Sequence, residues 1–173
     1  MSLTTLVNVK EYLRISGTKD DVLLTRLIDN CSTFIESWLN RKLEVATYQE
    51  KFSGNGIDYH LCKNFPINSI TSVIVNNEII ANFENDEKQV YLTDKSFYKG
   101  RFNCIVNYTA GYSTIPHDIE QACIELVAVK YRQSDSINLS SKAIAGETTS
   151  FIVKDIPDFI KVVLQQYKQV AFI

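Results

Sequence analysis

Tyr108–Gln133, YTAGYSTIPHDIEQACIELVAVKYRQ, is the stretch whose reading decides the fold. It reads as the end of a strand, a turn and a long helix. Phe102, Cys104, Val106 and Tyr108 alternate as a strand does, and Gly111 breaks the pattern. Pro116 suits a first helical turn, where its missing N–H costs nothing. Asp118 and Glu120 follow, on the end of the helix dipole that favours negative charge. Ile119, Ala122, Cys123, Leu126 and Tyr131 recur at helical spacing, and Ile124, Val127, Ala128 and Val129 widen that stripe. Only Asp118, Gln121, Glu125 and Arg132 remain as a polar face. So apolar a helix needs neighbours on most sides, so it is expected to be the central helix.

Upstream, Thr5–Ile15 predicts a short helix, with Asn8 and Glu11 as the two halves of a capping box and Gly17 as its end. A second helix is expected from Thr18 or Asp20 to about Asn40. Leu24, Leu27, Ile28, Cys31, Phe34, Ile35, Trp38 and Leu39 mark its apolar face, with Trp38 as a core anchor. Arg26, Asp29, Asn30, Thr33, Glu36 and Ser37 take the other face.

From Leu43 to Tyr108 the pattern turns to β. Strands are expected at Val45–Phe52, Ile57–Cys62, Ile70–Val75, Glu78–Ala81, Gln89–Thr93 and Arg101–Thr109. Asn76-Asn77 reads as a hairpin turn because Asn tolerates positive φ. Glu84–Lys88 reads as a charged turn, and Lys99-Gly100 as the turn between the last two strands. Ser134–Ser150 lacks clear periodicity and reads as a loop that orders in an assembly, with Phe151–Val153 as a short strand after it. Asp155 and Pro157 then open a last helix carrying Ile160, Val163, Leu164 and Tyr167 on one face, followed by an apolar tail, Val170–Ile173.

The expected fold class is α+β: mainly an α-helical bundle, with a small antiparallel β-sheet inserted between its helices. As one domain over 1–173, it would hold N-terminal helices in 1–42, the sheet in 43–109, the central helix in 115–134, a loop in 135–153, and the last helix and tail in 155–173.

Composition narrows the function. The 173 residues are enough for one real core, and 45% hydrophobic with 22% charged is ordinary for a globular protein. A formal net charge of -2 argues against wrapping nucleic acid, which needs clustered Lys and Arg. Cys31, Cys62, Cys104 and Cys123 lie far apart without a CxxC, as reduced core cysteines do. The opening MSLTTLVNVKEYL has no basic segment leading into an apolar run, so no secretory signal is read there. No apolar run approaches the roughly 20 residues a membrane span needs. HExxH, GxGxxG, GxxxxGK[ST] and GxSxG are all missing. His60 and His117 sit in a strand and at a helix start, with no second ligand at metal spacing. No catalytic residue, cofactor or metal is therefore assigned.

Four segments in order carry a resemblance. LVNVKEYLRISGTKDDVLLTRLIDNCSTFIESWLNRKL, KNFPINSITSVIVNNEII, VNYTAGYSTIPHDIEQACIELVAVKYRQ and SKAIAGETTSFIVKDIPDFIKVVLQQYKQV together resemble the tailed-bacteriophage head–tail connector (adaptor) family. The resemblance implies a non-enzymatic virion protein that forms a ring, twelve-fold to match the portal, through which DNA passes. Its implied partners are the portal protein, a stopper or next connector on the tail side, and further copies of itself. Its implied place is the virion head–tail interface, after assembly in the host cytoplasm. On this reading Tyr167, Phe172 and Ile173 are candidates for portal docking. Lys142, Ile144, Gly146 and Glu147 are candidates for contact with a neighbouring subunit or a tail-side partner. Arg26, Asp29 and Glu36 are candidates for subunit contacts or the lumen. The alternatives are another head-closure or tail-completion protein, or a DNA-packaging factor.

Overall fold

A computed structural model describes residues 2–134, 141–144, 147–150 and 156–168, those of 141–144 and 147–150 by their backbone. The chain divides into two compact units, one spanning 1–40 and 116–168, the other formed chiefly by 41–115.

The first unit is helical. Its helices are α1 (Leu6–Leu13), α2 (Asp21–Leu39), α3 (His117–Ser134) and α4 (Asp158–Gln165). Thr5, not Asn8, caps α1: its hydroxyl accepts the Asn8 N–H at 3.2 Å. The Asn8 side chain instead donates to Glu120 Oε1 on α3 at 2.7 Å. The helix stops three residues before Gly17, at Arg14, whose φ of 57° turns its N–H back onto the last carbonyls. Asn40 ends α2 the same way, at φ 56°. As expected, α3 is the hub, with α1, α2 and α4 all packed on it. Ile119, Ala122, Cys123, Ile124, Leu126, Val127 and Ala128 are all buried, as are Leu24, Ile28, Cys31, Ile35 and Leu39 of α2 and Ile160 and Leu164 of α4. Trp38 is only partly buried, with the Lys168 ammonium 4.6 Å from its ring.

The second unit corrects the expected architecture. It is not a small sheet inserted into a helical bundle but holds seven strands: β1 (Ala46–Phe52), β2 (Tyr59–Leu61), β3 (Ile67–Val75), β4 (Glu78–Ile80), β5 (Phe83–Asn85), β6 (Gln89–Leu92) and β7 (Cys104–Ala110). They form a four-stranded sheet in the order β1-β7-β3-β4 and a three-stranded sheet in the order β2-β6-β5, with every pairing antiparallel. The protein is thus α+β without being mainly helical. The physical reason is that this unit has its own core. Val73, Val75, Val90, Leu92, Phe97, Cys104, Val106 and Tyr108 pack together, so the sheets need no helix to cover them.

Two local expectations fail with it. Phe83–Asn85, which overlaps the charged turn expected at Glu84–Lys88, is strand β5. The strands flanking Lys99-Gly100 do not form a hairpin: β6 pairs with β2 and β5, β7 with β1 and β3. The Asn76-Asn77 turn is as expected, with φ of 51° and 66°, and joins β3 to β4.

Gly111 ends β7 at φ +124°, where a Cβ would stand 2.3 Å from the Glu44 carbonyl oxygen. Gly111→Val therefore combines a strained backbone with a clash against main chain. It is expected to destabilise the protein by at least about 2 kcal/mol, read as a lowered urea midpoint.

Between α3 and α4 lies β8 (Ser141–Ile144), paired antiparallel with β9 (Glu147–Ser150). A hairpin thus stands inside the span expected to be a loop. The short strand expected at Phe151–Val153, and Asp155 as a cap, lie outside the described residues. Pro157 takes the N-cap position of α4.

Candidate functional site

The sequence left two histidines as possible chemistry, and the structure gives each a structural setting. His117 is almost fully exposed, 3.8 Å from Glu120 within the first turn of α3. His60 on β2 lies flat on Phe52, with ring centroids 3.4 Å apart, and meets Phe97 edge-on. Its Nε2 stands 3.3 Å from Glu50 Oε2.

Glu50 is the residue that sequence reading missed. It is 8% exposed, on the inward side of β1 between Tyr48 and Phe52. Its Oε1 accepts the Lys63 N–H at 2.8 Å and the Tyr108 hydroxyl. The Tyr108 oxygen in turn accepts the Asn64 N–H at 3.1 Å. Burial pushes the Glu50 carboxyl up, but hydrogen bonds from His60, Tyr108 and Lys63 outweigh it and hold the group below its ordinary value. Burial, then the bond to Glu50, raises the Tyr108 phenol. This network joins β1 and β7 of one sheet to β2 of the other and to the 63–64 segment. The only signal in the sequence was a carboxylate between Tyr48 and Phe52 in an expected strand; that it faces inward is set by the register with β7.

Beside it, Arg41 is 5% exposed. Its guanidinium stacks 3.5 Å above the Phe65 ring and donates to the Phe65 carbonyl at 2.5 Å. Both groups lie within the β unit. Among the described residues, no three His, Cys, Asp or Glu side chains could share a metal ion. No helix among them is long and apolar enough to cross a membrane.

What the described residues do offer is surface. On α4, Phe159 and Val162 are 56% and 75% exposed, one turn apart, while Ile160 and Leu164 bury the opposite face. α4 thus carries apolar residues on both of its faces, one buried and one exposed. Tyr167 follows it, partly buried, and its hydroxyl donates to Asp118 Oδ2 at 2.6 Å. Gln166 donates to the same oxygen at 2.9 Å. Tyr167 thereby fixes the end of α4 to the start of α3. Phe172 and Ile173 lie outside the described residues.

The three α2 candidates do not share one environment. Arg26 is exposed, and Asp29 accepts the Ser2 hydroxyl at 2.8 Å. Glu36 is 8% exposed and belongs to the buried side. Close to that helix, a cavity of about 270 Å³ is lined by Leu27, Asn30, Cys31, Phe34, Leu126 and Lys130. Burial pushes the Cys31 thiol up to about 11, so it is an inert lining group. Of the loop candidates, Lys142 and Ile144 fall on β8 and Glu147 on β9; Gly146 lies outside the described residues.

A model of the head completion protein family matches residues 2–170. Among solved structures, the chain is similar to one from the neck of an empty gene transfer agent particle computed with C6 symmetry. That match has a TM-score of 0.60 and 15% identity, over 97% of this chain and 90% of that one. A chain from the neck of the native particle, computed with C12 symmetry, matches with a TM-score of 0.59 and 13% identity over the same shares. A third, from the virion of the native particle, matches with a TM-score of 0.60 and 14% identity, again over 97% and 90%. At these identities the likeness is one of fold. No curated protein sequence matches the chain.

Proposed function

The chain belongs to the head completion protein family, and from that premise we propose that it acts as a ring-forming adaptor between the portal and the tail-side proteins. Its role is structural, in head completion at the head–tail junction of a virion. The finer reading is a non-enzymatic subunit, repeated about the portal axis to match a twelve-fold portal, with DNA passing through the lumen. The observation that carries it is the family match over 2–170, nearly the whole chain. The C6 and C12 symmetry of the similar neck structures supports a ring. A near-neutral chain suits a channel that must release DNA, since tight holding would need a cationic lining. The network around Glu50 supports a scaffold role, because its polar atoms are spent on one another.

Phe159 and Val162 on α4 are one proposed portal-docking element, and the tail Val170–Ile173 is proposed as another. The proposed contacts between copies use Arg26 and Asp29 of α2, together with Lys142, Ile144 and Glu147 of the β8–β9 hairpin.

Electron microscopy of the purified protein mixed with the portal of the same phage tests the reading. An added ring of density under the portal is expected. Bare portals at high protein concentration would overturn it and transfer the protein to the tail side. Deleting Val170–Ile173 is expected to leave a folded protein that no longer binds portal; undiminished binding would remove the tail from the docking element.

A further inference from the structure

Among the described residues, neither the β8–β9 hairpin nor the outer edge of β1 has a further strand paired to it. The hairpin's strands have four residues each, and among the described residues they pair only with each other. A lone two-stranded hairpin is marginal in water and needs a third strand or a packed face. Its sequence, SKAI paired with ETTS, offers little apolar surface to supply that face.

The described edge strands differ in what they offer. β2, β4 and β5 have three residues each, too few to meet a four-residue strand along its length. β1 has seven. Its register with β7 runs unbroken from Ala46↔Ala110 to Phe52↔Cys104, whereas β3 shifts register against β7 at two places. It contains no proline, and of its exposed residues Ala46, Thr47, Gln49 and Lys51, one carries a charge. Long edges are normally blunted by bulges, proline or charges; β1 carries Lys51 and the inward Glu50 but neither a bulge against β7 nor a proline, so its main chain is regular enough to template another strand.

We propose that the β8–β9 hairpin of one copy adds to the β1 edge of the next copy, extending the four-stranded sheet across the subunit boundary. This rests on the ring reading above and names the contact that builds the ring. The two surfaces are different parts of the chain, so the contact is heterologous. Such a contact repeats around an axis and closes when the rotation allows, while each copy gives one hairpin and receives one. Main-chain hydrogen bonds supply the pairing, and they complete the hairpin and the edge together.

The test is crosslinking in the presence of portal. Thr149→Cys on β9 is combined in turn with Thr47→Cys, Gln49→Cys and Lys51→Cys on β1. The four native cysteines are buried and serve as the background. Each sample is oxidised, run on a non-reducing gel and imaged in parallel. A ladder of dimers, trimers and higher species from at least one pair is the expected result. Rings on the micrographs without a ladder from any pair would overturn the proposal and leave the ring reading standing, as would crosslinks confined to the monomer. Absence of rings from the unmodified protein with portal would defeat the ring reading, and this proposal with it. A second variant, Thr148→Pro, removes a main-chain donor from β9. It is expected to cut the fraction of ring-bearing portals about tenfold while the thermal unfolding of the free protein stays unchanged. Full ring occupancy with Thr148→Pro would count against the pairing.

Discussion

Replacing Glu50 by Ala is expected to cost about 3–5 kcal/mol of stability, the largest loss from any single polar side chain described here. The carboxylate is buried and receives the Tyr108 hydroxyl, the Lys63 N–H and the His60 ring. Removing it leaves those donors without their acceptor in a largely buried site. Truncating one member of a satisfied buried network costs far more than the network contributes relative to an apolar core, because the remaining groups stay desolvated. Tyr108→Phe removes one donor and keeps the others, so its cost is expected nearer about 1–3 kcal/mol. Urea unfolding of the two variants orders the effects. Equal losses for both would show that the hydroxyl, and not the carboxylate, holds the network.

The same carboxylate makes the stability pH-dependent. Its pKa in the folded protein lies below the ordinary value, because its hydrogen-bond donors outweigh burial. Its contribution is therefore complete above the unfolded Glu pKa of about 4.3 and is lost as pH falls below that toward the folded value. In Glu50→Gln that increment should vanish. The urea midpoint of the native protein should fall more steeply below about pH 4.3 than that of the variant. Parallel curves would remove Glu50 as the acid-sensitive group.

The second large effect is expected at the α4 ridge. Phe159→Asp with Val162→Asp places two charges on a face that is 56% and 75% exposed at those positions. The fold should tolerate both, since Ile160 and Leu164 on the other face carry the packing against α3. Portal binding should weaken by about two to three orders of magnitude, the loss expected when two central apolar contacts of roughly 2 kcal/mol each are replaced by charge. Co-sedimentation with portal, alongside circular dichroism of the free protein, reads the two quantities separately. Unchanged co-sedimentation would assign docking elsewhere. A chain that no longer folds would show that α4 packs on both faces.

The helices were legible because long amphipathic segments carry many repeats of one signal. The apolar residues recur at helical spacing through the eighteen residues of α3 and the nineteen of α2, and each helix is found where the pattern places it. Caps were less legible. Asn8 and Glu11 satisfied a local rule, yet Thr5 is the cap, because Asn8 found a stronger partner in Glu120 more than a hundred residues away. The β unit was understated for a related reason. Strands as short as the three residues of β5 hold too few alternations to distinguish from a turn. Their identity is set by what they pair with. Phe83–Asn85 becomes a strand because β6 lies beside it.

By itself the sequence determined the four helices, the hub position of α3, the Asn76-Asn77 hairpin and the family. These rest on short-range spacing, or on an ordered set of segments that survives without knowledge of contacts. Only the tertiary structure decided that the strands form two sheets around their own core, that Glu50 is the carboxylate buried between them, and that β1 presents a seven-residue edge. Each of those depends on register between segments distant in the chain, such as Glu50↔Val106, and a one-residue shift would have turned the same side chain to water.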